Sequence, residues 1–327
     1  VSGLNSILDV FGLVAKTTLN QIIGVLGFFL VFGLILYYLA KFTRLTFAKT
    51  TGPTIDVVAT GWLGTPVHEL GHALFCIIFG HKIVEMKLYN PDPADGSLGY
   101  VNHQYNPRST WAKVGNFFIG VGPIIFGSIV LYAALYYLLP QAVSIFASIQ
   151  EQVTVLSQGA GAGWEALYVS ARASTELTLS TIFNAQNFGN WKFWVFLYIS
   201  ICVASHMQLS PPDIKGALSG FITLVIALFV INFIMFLIGG DISALLGQGK
   251  NLVSNVSGKI QGAVNSSVLD KGFSVVDYVL GVNAYIGFFA ALFVYASIIS
   301  AFNFVLSYAV LSVYSLLRYR RIVNPFF

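Results

Sequence analysis

Charge is scarce in this sequence: Asp, Glu, Lys and Arg make up 9% of its 327 residues, where a soluble domain carries about 25%. With 56% hydrophobic residues and a mean hydropathy of +0.78, the chain has too little polar surface to cover a water-facing exterior. Basic runs with interleaved aromatics are also missing, and the net charge of +4 is set partly by Arg318, Arg320 and Arg321 at the tail. Nucleic acid is therefore excluded as a partner class. Only two cysteines occur, Cys76 and Cys202, both within apolar runs, so buried reduced thiols are expected and a disulfide framework has no support. Residues 1–19 lack a basic stretch followed by a cleavage site, and a removed signal peptide is not expected.

What the sequence does have is apolar runs of about 20 residues spread from end to end, with no polar block large enough to fold by itself. Spans are expected at 22–40, 57–80, 114–139, 191–208 and 216–239, and the stretch 281–317 reads as one tilted helix or a broken pair. Between the second and third lies the turn-rich "YNPDPADGSLGYVNHQYNPR", whose core "LGYVNHQY" reads as a strand or hairpin. Residues 140–190 mix Glu151, Glu165, Arg172 and Glu176 with apolar positions and predict amphipathic helix at the bilayer surface. A second amphipathic helix is expected within 241–278, where Val253, Val256, Ile260 and Val264 recur at helical spacing. The expected fold class is thus an all-α polytopic membrane protein of about six transmembrane helices, with a small hairpin and extra amphipathic helices.

By the positive-inside rule, Arg318, Arg320 and Arg321 place the C-terminus in the cytoplasm. Counting back through the spans puts residues 81–113, with Lys82, Lys87, Arg108 and Lys113, on the same side. The same count puts Lys41, Arg44 and Lys49 outside, against the rule.

The second run contains "GTPVHELGHALFCIIFGHKI", which spends His68, Glu69 and His72 inside a span. On a helix His68 and His72 lie one turn apart on one face, so both imidazoles reach a single ion, and Zn2+ is the natural occupant for neutral imidazole nitrogens. Glu69 projects beside that ion and suits the general base that takes a proton from water in HExxH chemistry. Burying three ionisable groups in a bilayer costs several kcal/mol unless they are paired or bind an ion, which favours a metal site over a structural polar cluster. A catalytic zinc takes a third protein ligand, and the membrane-embedded candidates are Asp213 and His206 in "SHMQLSPPDIKG", with His103 in the connecting loop. Asp213, between a Pro-Pro pair and Gly216, is expected on unwound backbone lining a cavity.

The segment "TPVHELGHALFCIIFG" resembles the zinc-binding helix of the site-2 protease class of intramembrane metalloproteases, the M50 type. In order along the chain, "GSLGYVNHQYNPR" is similar to the strand-forming segment that follows the motif in that class. "FIGVGPIIFG" looks like its Ala-Gly-Pro-containing helix, and "SHMQLSPPDIKGA" stands at its aspartate-bearing signature, with Ile214 and Lys215 inserted before Gly216. The resemblance covers residues 57–220 and implies that His68, His72 and Asp213 bind zinc while Glu69 acts as general base. It divides the chain into an N-terminal segment with the first span (1–56), a metalloprotease core (57–220) and a C-terminal transmembrane region (221–327).

The expected function is zinc-dependent hydrolysis of peptide bonds in or near transmembrane segments of a membrane protein substrate, in a prokaryotic plasma membrane by analogy with compact family members. Gly99, Tyr100 and Val101 are expected to pair with unwound substrate as an added strand. His206 and His103, where not ligands, are candidates for oxyanion or substrate positioning. Two alternatives stay open: a zinc hydrolase acting on a lipid-linked substrate, and a transporter, channel or assembly factor with a structural metal site.

Overall fold

A computed structural model describes residues 2–91, 98–142, 144–145, 147–149, 164–239 and 275–325. Apolar periodicity resolves into α-helices that include α1 (Ser2–Thr50), α2 (Pro53–Asp56), α3 (Trp62–Ile78), α4 (Thr110–Leu138), α5 (Trp164–Ile182), α6 (Ala185–Phe188), α7 (Trp191–His206), α8 (Pro211–Gly239) and α9 (Val275–Tyr319). A π-helical turn, Val57–Gly61, leads into α3. The hairpin expected after the motif is present as β1 (Lys82–Lys87) and β2 (Tyr100–Gln104), antiparallel, with Ile83 opposite His103 and Lys87 opposite Tyr100. Gly99 lies one residue ahead of β2.

Four described helices carry segments long and apolar enough to cross a membrane: Val31–Thr50, Thr110–Leu138, Pro211–Ile234 and Ala291–Tyr319. The chain is a multi-pass, helical, membrane-embedded protein. Helix α7, with 16 residues, is shorter than the roughly 20 that span the hydrocarbon core, whereas α2, the π-helical turn and α3 follow one another without a break from Pro53 to Ile78. The final apolar stretch is one continuous helix, α9. The amphipathic reading of 241–278 falls almost wholly outside the described residues, as does 150–163. Within 140–190, α5 buries Ser174, Thr178 and Ile182 along one face and exposes the Arg172–Glu176 ion pair on another.

Helix packing follows from which faces the chain hides. On α8, Leu218, Ile222 and Ile226 recur every four residues and remain 63%, 68% and 57% exposed, an unbroken stripe that lipid covers. Inside, Leu131 and Leu135 of α4 meet Phe193 and Phe196 of α7 and Phe293 and Tyr295 of α9 in one fully buried cluster. Lipid tails are as apolar as leucine, so polar contacts fix which helices pair. Asn303 of α9 donates to Ser205 of α7 at 2.8 Å, and Asn232 of α8 donates to Thr18 and Gln21 of α1 at 2.9 and 2.8 Å.

The cations that broke the orientation count have specific partners. Arg44 Nε donates to the buried carboxylate of Asp56 at 3.3 Å, and Lys49 Nζ donates to the Asn324 carbonyl at 2.9 Å. The end of α1 and the segment after α9 therefore share one end of the bundle. The hairpin folds back along α3: Tyr89 Oη donates to Val57 O at 3.0 Å, and Gly99 lies against Glu69.

Candidate metal centre

On α3 the buried positions Thr65, Glu69, His72 and Cys76 succeed one another at helical spacing, while Leu70, Leu74 and Ile77 face outward. This stripe packs on α4 at unusually short range. A Cβ on Gly71 would come within 2.8 Å of the Pro123 backbone, and one on Gly122 within 2.7 Å of the Gly71 carbonyl. Glycine at both positions lets the backbones touch and brings His72 to the carbonyls of α4.

Pro123 decides which carbonyl is free. It has no N–H to give to Ile119, four residues back, so that carbonyl lacks its helical donor. His72 Nδ1–H fills the vacancy at 2.7 Å, which orients the ring and leaves the Nε2 lone pair pointing away from α4. His68 is held in the same way: its Nδ1–H donates at 2.8 Å to the carbonyl of His206, one of the orphan carbonyls at the end of α7.

Asp213 arrives from a helix start. Ser210 Oγ accepts from the Asp213 N–H at 3.3 Å, and Asp213 Oδ2 accepts from the Ser210 N–H at 2.7 Å, a reciprocal capping box with Pro211 as the first helical residue. Asp213 thus sits in the first turn of α8, not on the unwound turn the sequence suggested. The irregular backbone is the preceding Met207–Ser210.

Donor atoms of three residues converge. His68 Nε2 and His72 Nε2 lie 3.2 Å apart, Asp213 Oδ1 is 3.2 Å from His72 Nε2, and Asp213 Oδ2 is 3.7 Å from His68 Nε2. Tetrahedral donors with bonds of about 2.0–2.2 Å lie roughly 3.3–3.6 Å from each other, so the separations fit one small divalent ion. The donor set, two imidazoles and a carboxylate with supporting hydrogen bonds on all three, is compatible with coordination of a metal ion such as zinc.

The centre opens into a cavity of about 840 Å³ whose wall includes His68, Glu69, His72 and Asp213 together with the consecutive residues 98–103. Glu69 is buried beside the ligands, and its Cγ would stand 2.9 Å from a Cβ at Gly99, so only glycine there admits the carboxylate under the hairpin. Sequence reasoning missed Asn116, a buried carboxamide of α4 on the same wall. It also missed the capping box, although "SPPD" carried its signature.

The other two candidates are placed differently. His206 contributes its backbone carbonyl, while its ring packs on Gly64 of α3 with Nδ1 3.1 Å from Cys202 O. His103 lines the cavity but sits with His81 and Cys76, away from the His-His-Asp cluster.

No protein-family model, curated protein or solved structure matches the chain.

Pro123→Ala restores an N–H that competes for the Ile119 carbonyl and loosens His72. Zinc affinity at this centre, measured by competition with a chromophoric chelator, is expected to fall about 10-fold or more, as for other lost supporting bonds. Unchanged affinity would mean that packing alone holds the ring.

Proposed function

We propose that this protein is an intramembrane zinc metallopeptidase of the site-2 protease class, hydrolysing peptide bonds in or near transmembrane segments of membrane proteins. The observation that carries this reading is one cavity wall shared by the His-His-Asp donors, a buried glutamate and an extended backbone segment, residues 98–103. His68, His72 and Asp213 would hold the ion, which when bound supplies Lewis acidity toward a carbonyl and toward water. Glu69, next to His68 in sequence and buried on the same stripe, takes the proton from the attacking water and returns it to the leaving amine.

The hairpin handles the substrate. An unwound peptide exposes N–H and C=O groups that cannot remain unpaired in a membrane, and a strand edge satisfies them as an added partner. Tyr100 and Val101 are the assigned pairing residues, with Gly99 admitting close approach. The cavity accounts for how water reaches the site. A structural zinc would be closed by a fourth protein donor. The ring nitrogens of His206 are not among the donor atoms that converge with those of His68, His72 and Asp213. The catalytic unit in this reading is residues 57–220, in a prokaryotic plasma membrane.

The test is the set of new peptide termini in membranes supplied with the purified protein. Termini mapping within or beside transmembrane helices of other proteins are expected with the zinc-loaded protein. They should vanish with a zinc chelator and return when zinc is restored. Termini confined to soluble domains, or unaffected by chelation, would overturn the assignment.

A further inference from the structure

A second set of ligand atoms converges at the far end of α3: Cys76 Sγ and one imidazole nitrogen each from His81 and His103, all within 4.8 Å of one another. The cause is local. Helix α3 ends in a Schellman motif, with Gly80 at φ +70°, the His81 N–H on the Cys76 carbonyl at 2.8 Å and the Gly80 N–H on the Ile77 carbonyl at 3.3 Å. This motif sets the residue after the glycine beside the one five positions earlier, where an apolar contact is usual. Here the pair is an imidazole and a thiol. His103 completes the group through the strand register, opposite Ile83.

The imidazoles are oriented as ligands are. His81 Nε2–H donates to the Ala112 carbonyl at 2.8 Å, which fixes the tautomer and leaves the Nδ1 lone pair free. That Nδ1 lies 2.9 Å from His103 Nδ1, and two nitrogens at this distance need a shared proton or a cation between them. Tyr105 stacks on His81 with ring centroids 4.8 Å apart, and Cys76 is fully buried. None of these three ligand residues belongs to the His-His-Asp centre.

We propose that Cys76, His81 and His103 form a second metal site, selective for a borderline-soft divalent ion of the zinc type, that clasps the hairpin to the end of α3. A thiolate with two imidazoles favours zinc and its cobalt substitute over magnesium or calcium, whose ligands are oxygens. Binding releases the thiol proton to solvent, and the sulfur takes its place among the donors. His72 and Cys76 are one turn apart on α3, so the site lies next along the helix from the first. Its ion would fix β2, the strand whose residues line the cavity.

Cobalt titration of the purified, chelator-stripped full chain tests this site separately from the first, because only a sulfur ligand gives thiolate-to-cobalt charge-transfer absorption. Wild type is expected to bind about two cobalt ions per chain and to show that absorption. Cys76→Ser should abolish the absorption and leave about one ion, while His72→Ala should leave about one ion with the absorption intact. Cys202→Ser should change neither. His103→Gln, a milder change, should weaken the cobalt binding read at that absorption by at least about 10-fold, which keeps the test open if Cys76→Ser fails to fold. Saturation of folded wild type without charge transfer, or absorption that survives Cys76→Ser, would overturn the second site. Cobalt binding lost in His72→Ala, with no charge-transfer absorption in any variant, would likewise overturn the second site.

Discussion

Asp213→Ala is expected to remove one metal equivalent per chain and, with it, hydrolytic activity. The carboxylate does two jobs in the structure. Its Oδ1 faces His72 Nε2 at 3.2 Å, and its Oδ2 accepts the Ser210 N–H that starts α8. Alanine loses both, so besides the ligand it forfeits the carboxylate half of the capping box, a hydrogen bond worth about 1 kcal/mol. Asp213→Asn separates the two effects, because its amide oxygen still accepts from Ser210 while the negative charge that balances a divalent ion is gone. Removing a supporting hydrogen bond of a metal ligand costs about 10–100-fold in affinity, and removing the ligand itself should exceed that. The measurement is metal content after gel filtration in a Cys76→Ser background, with thermal unfolding alongside. Both variants should lose the ion, and only alanine should also lower the melting temperature measured without metal. An alanine variant that keeps its ion would take Asp213 out of the ligand set.

How far such a site can be read without a structure depends on whether its cause is local. His68, Glu69 and His72 were legible because three and four residues along a helix return to the same face wherever the helix sits. The hairpin was legible from its turn residues, and the long apolar runs from their length. Asp213 was a candidate third ligand beside His206 and His103 and was singled out by a resemblance, although the capping signature Ser210-Pro-Pro-Asp213 marked a helix start that aims a carboxylate back at the chain. Pro123 announced an unpaired carbonyl at Ile119, but the arrival of His72 depends on how Gly71 and Gly122 let two helices cross, and nothing in either segment alone states that. Cys76 read only as a packed thiol. Gly80 fixes the proximity of Cys76 and His81 locally, whereas His103 joins them only through strand register. Hydropathy measures how apolar a run is and not how long its helix is, so 191–208 read as a span although α7 has 16 residues. All five histidines gather in and beside α3, at 68, 72, 81, 103 and 206, a concentration visible only once the chain is folded.

Glu69→Gln is expected to slow peptide hydrolysis by about 10²–10⁴-fold while metal content stays at the wild-type level. Glutamine keeps the volume that fits beneath Gly99, where a Cβ would already stand 2.9 Å from the Glu69 side chain, so the packing of the hairpin on α3 is preserved. What it loses is a carboxylate able to accept a proton from water. Glu69 is not among the converging donor atoms, which belong to His68, His72 and Asp213, so the substitution should spare binding. The rate is best followed on the transmembrane termini that the wild-type protein generates, with zinc and cobalt content measured on the same preparations. If rate falls and metal stays, the glutamate acts on the reacting water. If rate and metal fall together, it supports the ligands instead, as the hydrogen bonds at Ile119 and His206 do. Unchanged hydrolysis by a metal-loaded Gln variant would remove the general base and with it the peptidase mechanism. A buried carboxylate beside a metal site is costly in a membrane, and the reaction is the reason proposed here for its presence.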